Sequence, residues 1–94
     1  MGHHVFGAVT EIADNGDLIT DITPEQLAAA PRDESVRIVC DGHETFGLFP
    51  PDHGQPPFTL VAVLAETLRL CIVSDSAKMM LGVQPGVEVC VEWP

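Results

Sequence analysis

Three cysteines and four histidines are the residues of this chain best suited to thiol, metal or acid–base chemistry. Cys40, Cys71 and Cys90 are odd in number, lie far apart and form no C-x-x-C pair. Each falls inside a segment that reads as a β-strand, where a free cysteine packs as a small hydrophobe. Redox or zinc chemistry needs closer spacing or a histidine pattern beside the thiols. His3-His4 could start a metal site with His43 or His53, but a near-terminal pair reads as solvent-exposed chain. Ser74 and Ser76, with His43 or His53, supply the side chains of a hydrolase in principle. No recognised nucleophile motif surrounds them. The expectation is therefore no catalytic residue and no metal ligand set.

Charge narrows the partners. Fourteen acidic residues against four basic ones give a net charge of −10. Such a surface repels phosphate backbones, which argues against nucleic acid. The acids are scattered rather than blocked, as on an ordinary solvated surface. A hydrophobic content of 46% argues against disorder. The longest apolar run, Leu60 to Ala65, is far short of the roughly 20 residues of a membrane helix. The amino terminus shows no basic, apolar secretory pattern. These features lead us to expect a soluble, cytoplasmic protein. Ninety-four residues make one domain, 1–94, with a single modest core.

The elements that would position these residues are short. Val5 to Ile12 alternates as a first strand, and Asp14-Asn15-Gly16-Asp17 is a hairpin turn whose Asn and Gly tolerate positive φ. Leu18 to Ile22 follows as a second strand. Thr23 with Gln26 forms a capping box, and Pro24 suits the first helical position; Pro31 stops the segment after one or two turns. Val36 to Cys40 and Glu44 to Phe49 read as strands joined at Asp41-Gly42. Pro50 to Pro57, with four prolines, cannot join a ladder and reads as a connector or a lid. Phe58 to Leu64 and Leu68 to Val73 are strands. Ser74 or Asp75 can cap a helical turn from Ser76 to Leu81 that Gly82 closes. Gln84-Pro85-Gly86 has the order of a type II turn. Val87, Val89 and Val91 share one face of a last strand. About seven short strands and one or two helical turns predict an all-β fold, a small β-barrel.

Two segments carry a family resemblance: Gly16-Asp17-Leu18-Ile19-Thr20-Asp21-Ile22 and the block from Leu68 to Gly86. In order and separation they resemble the carboxy-terminal β-barrel domain of the S-adenosyl-L-methionine (SAM) hydroxide adenosyltransferases, the family that includes the SAM-dependent fluorinases and chlorinases. The resemblance runs from Gly7-Ala8-Val9 to Val87-Glu88-Val89. It implies a domain that contacts the adenine and methionine portions of SAM beside a separate amino-terminal catalytic domain, with the site between subunits of a trimer. The expectation is that this protein lacks the family's catalytic half.

On that resemblance, Gly16, Asp17, Ser76 and Ala77 are the candidate nucleoside-binding residues, with SAM or adenosine as the residual ligand. The family pattern is eroded around them. Where the family has Asp, then Phe-Gly-Asn, before Leu-Ile-Thr, this chain has Ala13, then Asn15-Gly16-Asp17. Asp17 keeps an acceptor but loses the amide donor. Glu66-Thr67 stand near the family's Asn-Ser, and Val73 aligns with its later asparagine. Turn and cap geometry alone would also retain Gly16, Ser76 and Gly82. The reading is a stand-alone, non-catalytic homologue acting as a ligand-binding or oligomerisation and partner-binding module. The alternative is half of a split enzyme that hydrolyses SAM to adenosine and methionine with a separately encoded amino-terminal domain. The family implies a homotrimer, for which Phe46, Leu48, Phe49, Phe58 or Trp93 would form an apolar strip; all five are equally candidates for the core.

Overall fold

A computed structural model describes residues 2–94. Its strands are β1 (His3–Ile12), β2 (Leu18–Thr20), β3 (Arg37–Cys40), β4 (His43–Phe46), β5 (Leu60–Leu64), β6 (Leu68–Ile72) and β7 (Glu88–Trp93). One short helix, α1 (Ala77–Leu81), lies between β6 and β7. The strands form one sheet in the order β4-β3-β7-β1-β2-β6-β5, and each adjacent pair is antiparallel. An odd number of alternating strands leaves the two edges, β4 and β5, running the same way. They meet accordingly through a parallel bridge between Phe49 and Val63. The Phe49 N–H donates to the Ala62 carbonyl at 3.0 Å, and the Leu64 N–H donates to the Phe49 carbonyl at 2.9 Å. Higher on the seam the Thr45 hydroxyl donates to the Leu60 carbonyl at 2.8 Å. The result is a nearly closed all-β barrel.

Strand β1 serves both halves of the sheet. Residues 3–8 pair with β7, residues 9–12 pair with β2, and a register shift between Val9 and Glu11 bends the strand between them. Its inward residue Val9 joins Leu18, Ile38, Leu68, Leu70, Val89 and Val91 in the core. Thr20 is the polar exception: its hydroxyl donates to the Leu68 carbonyl at 2.6 Å and accepts the Ile22 N–H at 3.2 Å. The first bond ties β2 to the start of β6, the second is a local turn two residues on, and together they satisfy the buried hydroxyl. The aromatic and large apolar side chains divide cleanly. Leu48 and Trp93 are buried and Phe49 is half-buried, whereas Phe46 and Phe58 are exposed.

Several local expectations change. The Thr23–Gln26 capping box forms, with the Thr23 N–H on Gln26 Oε1 at 2.9 Å. The chain beyond it is a series of four-residue turns, not an α-helix: the Leu27 N–H donates to the Pro24 carbonyl and the Ala30 N–H to the Leu27 carbonyl. Pro31 arrives before a helix could propagate, and burying Leu27 and Ala30 fixes the tighter winding. The cap of α1 is Ser76 itself, not Ser74 or Asp75; its Oγ accepts the Met79 N–H at 3.2 Å. Asp75 instead accepts the Ser76 N–H. β4 stops at Phe46 because Gly47 turns to φ +87°. β5 starts only at Leu60, because Phe58 has φ +65° and leaves the ladder direction. No helix among the described residues is long and apolar enough to cross a membrane.

Candidate functional site: a cleft at Asp17 and Arg69

The two sequence anchors meet at one end of the barrel. Gly16 sits at φ +92° in the β1–β2 turn, closed by the Ala13 N–H on the Asp17 carbonyl at 2.9 Å. Its own carbonyl accepts the Lys78 N–H at 2.9 Å, so the turn is bonded directly to α1. A side chain at Gly16 would drive its Cβ into Ser76 Oγ. Glycine is thus required for close packing as well as for the turn.

Of the four candidate residues, only Asp17 lines the adjoining cleft. Ala77 is wholly buried in the core. Ser76 Oγ is engaged as the helix cap, and the Ser76, Lys78 and Met79 N–H groups all have partners within the chain. The helix start, which the resemblance would turn toward a ligand, is therefore largely satisfied internally, and Gly16 and Ser76 act as the packing joint behind the cleft.

The cleft holds about 440 Å³. One wall is the outer side of β5 and β6, with Val63, Arg69, Cys71 and Val73; the other comes from Pro51 and His53 of the proline-rich segment. That segment is therefore a wall of the cleft and not only a connector. Asp17 is 9% exposed and is held in place by Asn15, whose amide donates to Oδ2 at 3.3 Å and whose Oδ1 accepts the Asp17 N–H at 3.1 Å. Arg69 Nη1 lies 3.8 Å from Asp17 Oδ2, and Arg69 Nε is buried without a hydrogen-bond partner among the described residues. Burial, reinforced by the Asp17 carboxylate, pushes the Cys71 thiol up to about 12. At neutral pH it is a neutral thiol and a poor nucleophile. His53 Nδ1 accepts the Gln55 N–H at 2.9 Å, which places the proton of the neutral ring on Nε2. The ring also stands edge-on to Phe49.

This arrangement offers a fixed carboxylate acceptor and a guanidinium donor side by side, in a shallow space with one mixed wall. It suits binding of a small polar ligand. Neither Ser74 nor Ser76 is hydrogen-bonded to a histidine among the described residues. The described residues contain no group of three or more His, Cys, Asp or Glu placed to hold a metal. His3 stacks on Trp93 and His4 approaches Glu92, away from His53. Sequence reasoning did not place Arg69, Cys71 or His53 beside Asp17. Alternation along Leu68–Ile72 does put Arg69 and Cys71 on the face opposite the core. That the 51–53 segment folds over that face is a long-range fact with no local signal.

The architecture defines an antiparallel β-barrel domain, and solved structures share it. A crystal structure of an uncharacterized conserved protein from Thermotoga maritima superposes with a TM-score of 0.77 at 20% identity, over 94% of this chain and 35% of that one. A conserved hypothetical protein from Thermus thermophilus gives 0.71 at 23% identity, over 92% of this chain and 34% of its own. At these identities the likeness shows the fold. The chain spans about a third of the length of each of these proteins. No family model and no curated protein matches the sequence.

Proposed function

We propose that the chain is a non-catalytic binding module related to the carboxy-terminal domain of the SAM hydroxide adenosyltransferases, holding a small polar ligand of the nucleoside class in the Asp17–Arg69 cleft. One observation carries this reading: the two segments on which the resemblance rests come together at Gly16 and Ser76, and Asp17 opens from that joint into a cleft that also presents Arg69. Asp17 would accept hydrogen bonds from ribose hydroxyls or an amino group, and Arg69 would donate to a ligand oxygen or ring nitrogen. Three free cysteines accord with a cytoplasmic protein.

Amide chemical shifts titrated with adenosine and with SAM test the proposal. Saturable shifts at Asn15, Gly16, Asp17 and Arg69, lost in Asp17→Ala, are expected. Flat shifts at millimolar ligand would remove nucleoside binding by this chain.

A second reading rests on the same resemblance: the barrel completes a site with a separately encoded amino-terminal domain. Adenosyl transfer from SAM to water, giving adenosine and methionine, would then appear only when both chains are mixed. A complex that yields neither product would exclude it.

A further inference from the structure

The outer face of β4-β3-β7-β1 is set by register. Val5, Val9, Ile38, Cys40, Val89 and Val91 point inward, so the residues alternating with them point out. One outward row runs Phe6, Cys90, Val39, Glu44 across the four strands. The next row runs His4, Glu92, Arg37, Phe46. Glu88 lies beside Ala8 in a third. Apolar side chains thus share the solvent side with charged ones, Phe6, Cys90 and Val39 in one row and Phe46 at the end of the next, on a sheet whose other side already holds the core. Phe6 is 59% exposed and Phe46 is 46% exposed, one on each outermost strand of the four. An antiparallel sheet with one core face ordinarily shows polar residues at such positions.

The charges around this apolar band are organised. Arg37 bonds Glu44 at 2.6 Å and Glu92 at 2.7 Å, holding both carboxylates in place, and His4 stacks against Phe6 while its Nε2 lies 3.3 Å from Glu92. Three carboxylates, Glu44, Glu88 and Glu92, stand against one guanidinium. With the chain at −10, two such faces would repel each other, whereas a basic surface is attracted.

We infer that this face docks a protein segment with an apolar stripe edged by lysine or arginine. Phe6 and Phe46 grip the stripe and the fixed carboxylates orient the basic edge. The inference is independent of the ligand cleft, which lies on the outer side of β5 and β6.

The probe is a synthetic amphipathic helix of leucine and lysine, with a leucine–glutamate version as control. Saturable amide shifts confined to the outward rows of β1, β3, β4 and β7 are expected with the lysine probe, and none with the glutamate one. Phe6→Ser and Phe46→Ser each change only an exposed side chain, and each is expected to weaken binding at least about tenfold. Phe58→Ser, at an exposed aromatic off this face, is expected to leave it unchanged. Shifts scattered over the acidic surface and indifferent to Phe6→Ser would overturn the inference. So would a dimer, seen by sedimentation, that dissociates on Phe6→Ser, since it would give the face to a second copy.

Discussion

At Gly16 two demands fall on one residue: a backbone in the left-handed region and no atom beyond Cα, because Ser76 fills the space. Gly16→Ala is expected to cost upward of about 2 kcal/mol in chemical denaturation, combining an unfavourable φ with a steric overlap. Adding Ser76→Gly removes the nearest obstructing atom and, because glycine is itself a tolerated cap, gives up only about a few tenths of a kcal/mol. The Cα of residue 76, 2.9 Å from the new Cβ, still crowds it. The double variant should therefore be more stable than the two single losses summed, and a simple sum would show that the joint is not tight. The turn was legible from the Asn-Gly setting of Gly16, and a helical turn with a cap was legible after β6, although the cap falls at Ser76 and not at Ser74 or Asp75. That the two touch was not, because no local pattern encodes a contact between a hairpin turn and a helix cap so far along the chain. For the same reason Asp17 was found as a candidate while its partner Arg69 was not.

Strand β2 is only three residues long, and the Thr20 hydroxyl adds a side-chain bond to its two-residue ladder with β6. Thr20→Val keeps the shape and removes the bond, leaving the Leu68 carbonyl and the Ile22 N–H without the hydroxyl in the interior. A loss of about 2 kcal/mol is expected. Faster hydrogen exchange at the Ile22 amide would localise it, and unchanged exchange there would mean that another group takes over the pairing. At this scale the sequence was informative where alternation is strong. Val89 and Val91 in β7, and Leu68, Leu70 and Ile72 in β6, all face inward. It was less so where a tertiary constraint decides the local outcome. Residues 24–30 have helical composition and a formed capping box, yet the burial of Leu27 next to Pro31 winds them into turns.

For the molecule as a whole, charge is the largest unbalanced quantity. Arg37 and Arg69 are each beside an acidic partner, yet ten negative charges remain uncompensated on a domain of radius of gyration 12.0 Å. Screening should relieve that self-repulsion, so the urea midpoint is expected to rise between low salt and about 0.5 M NaCl. A fall would mean that the Arg37 pairs outweigh the repulsion. The barrel class was legible from seven short alternating segments; the closure of the barrel was not, because it depends on Phe49 reaching Val63 across the seam. The ladder that joins β1 to β7, with His3 opposite Trp93 and Val5 opposite Val91, has a consequence for how the protein is made. On the ribosome, β1 emerges early and must wait, without its partner, until β7 has left the exit tunnel. For that interval residues 3–8 lack their ladder partner, so an unpaired strand edge stays open to other nascent chains until β7 closes it.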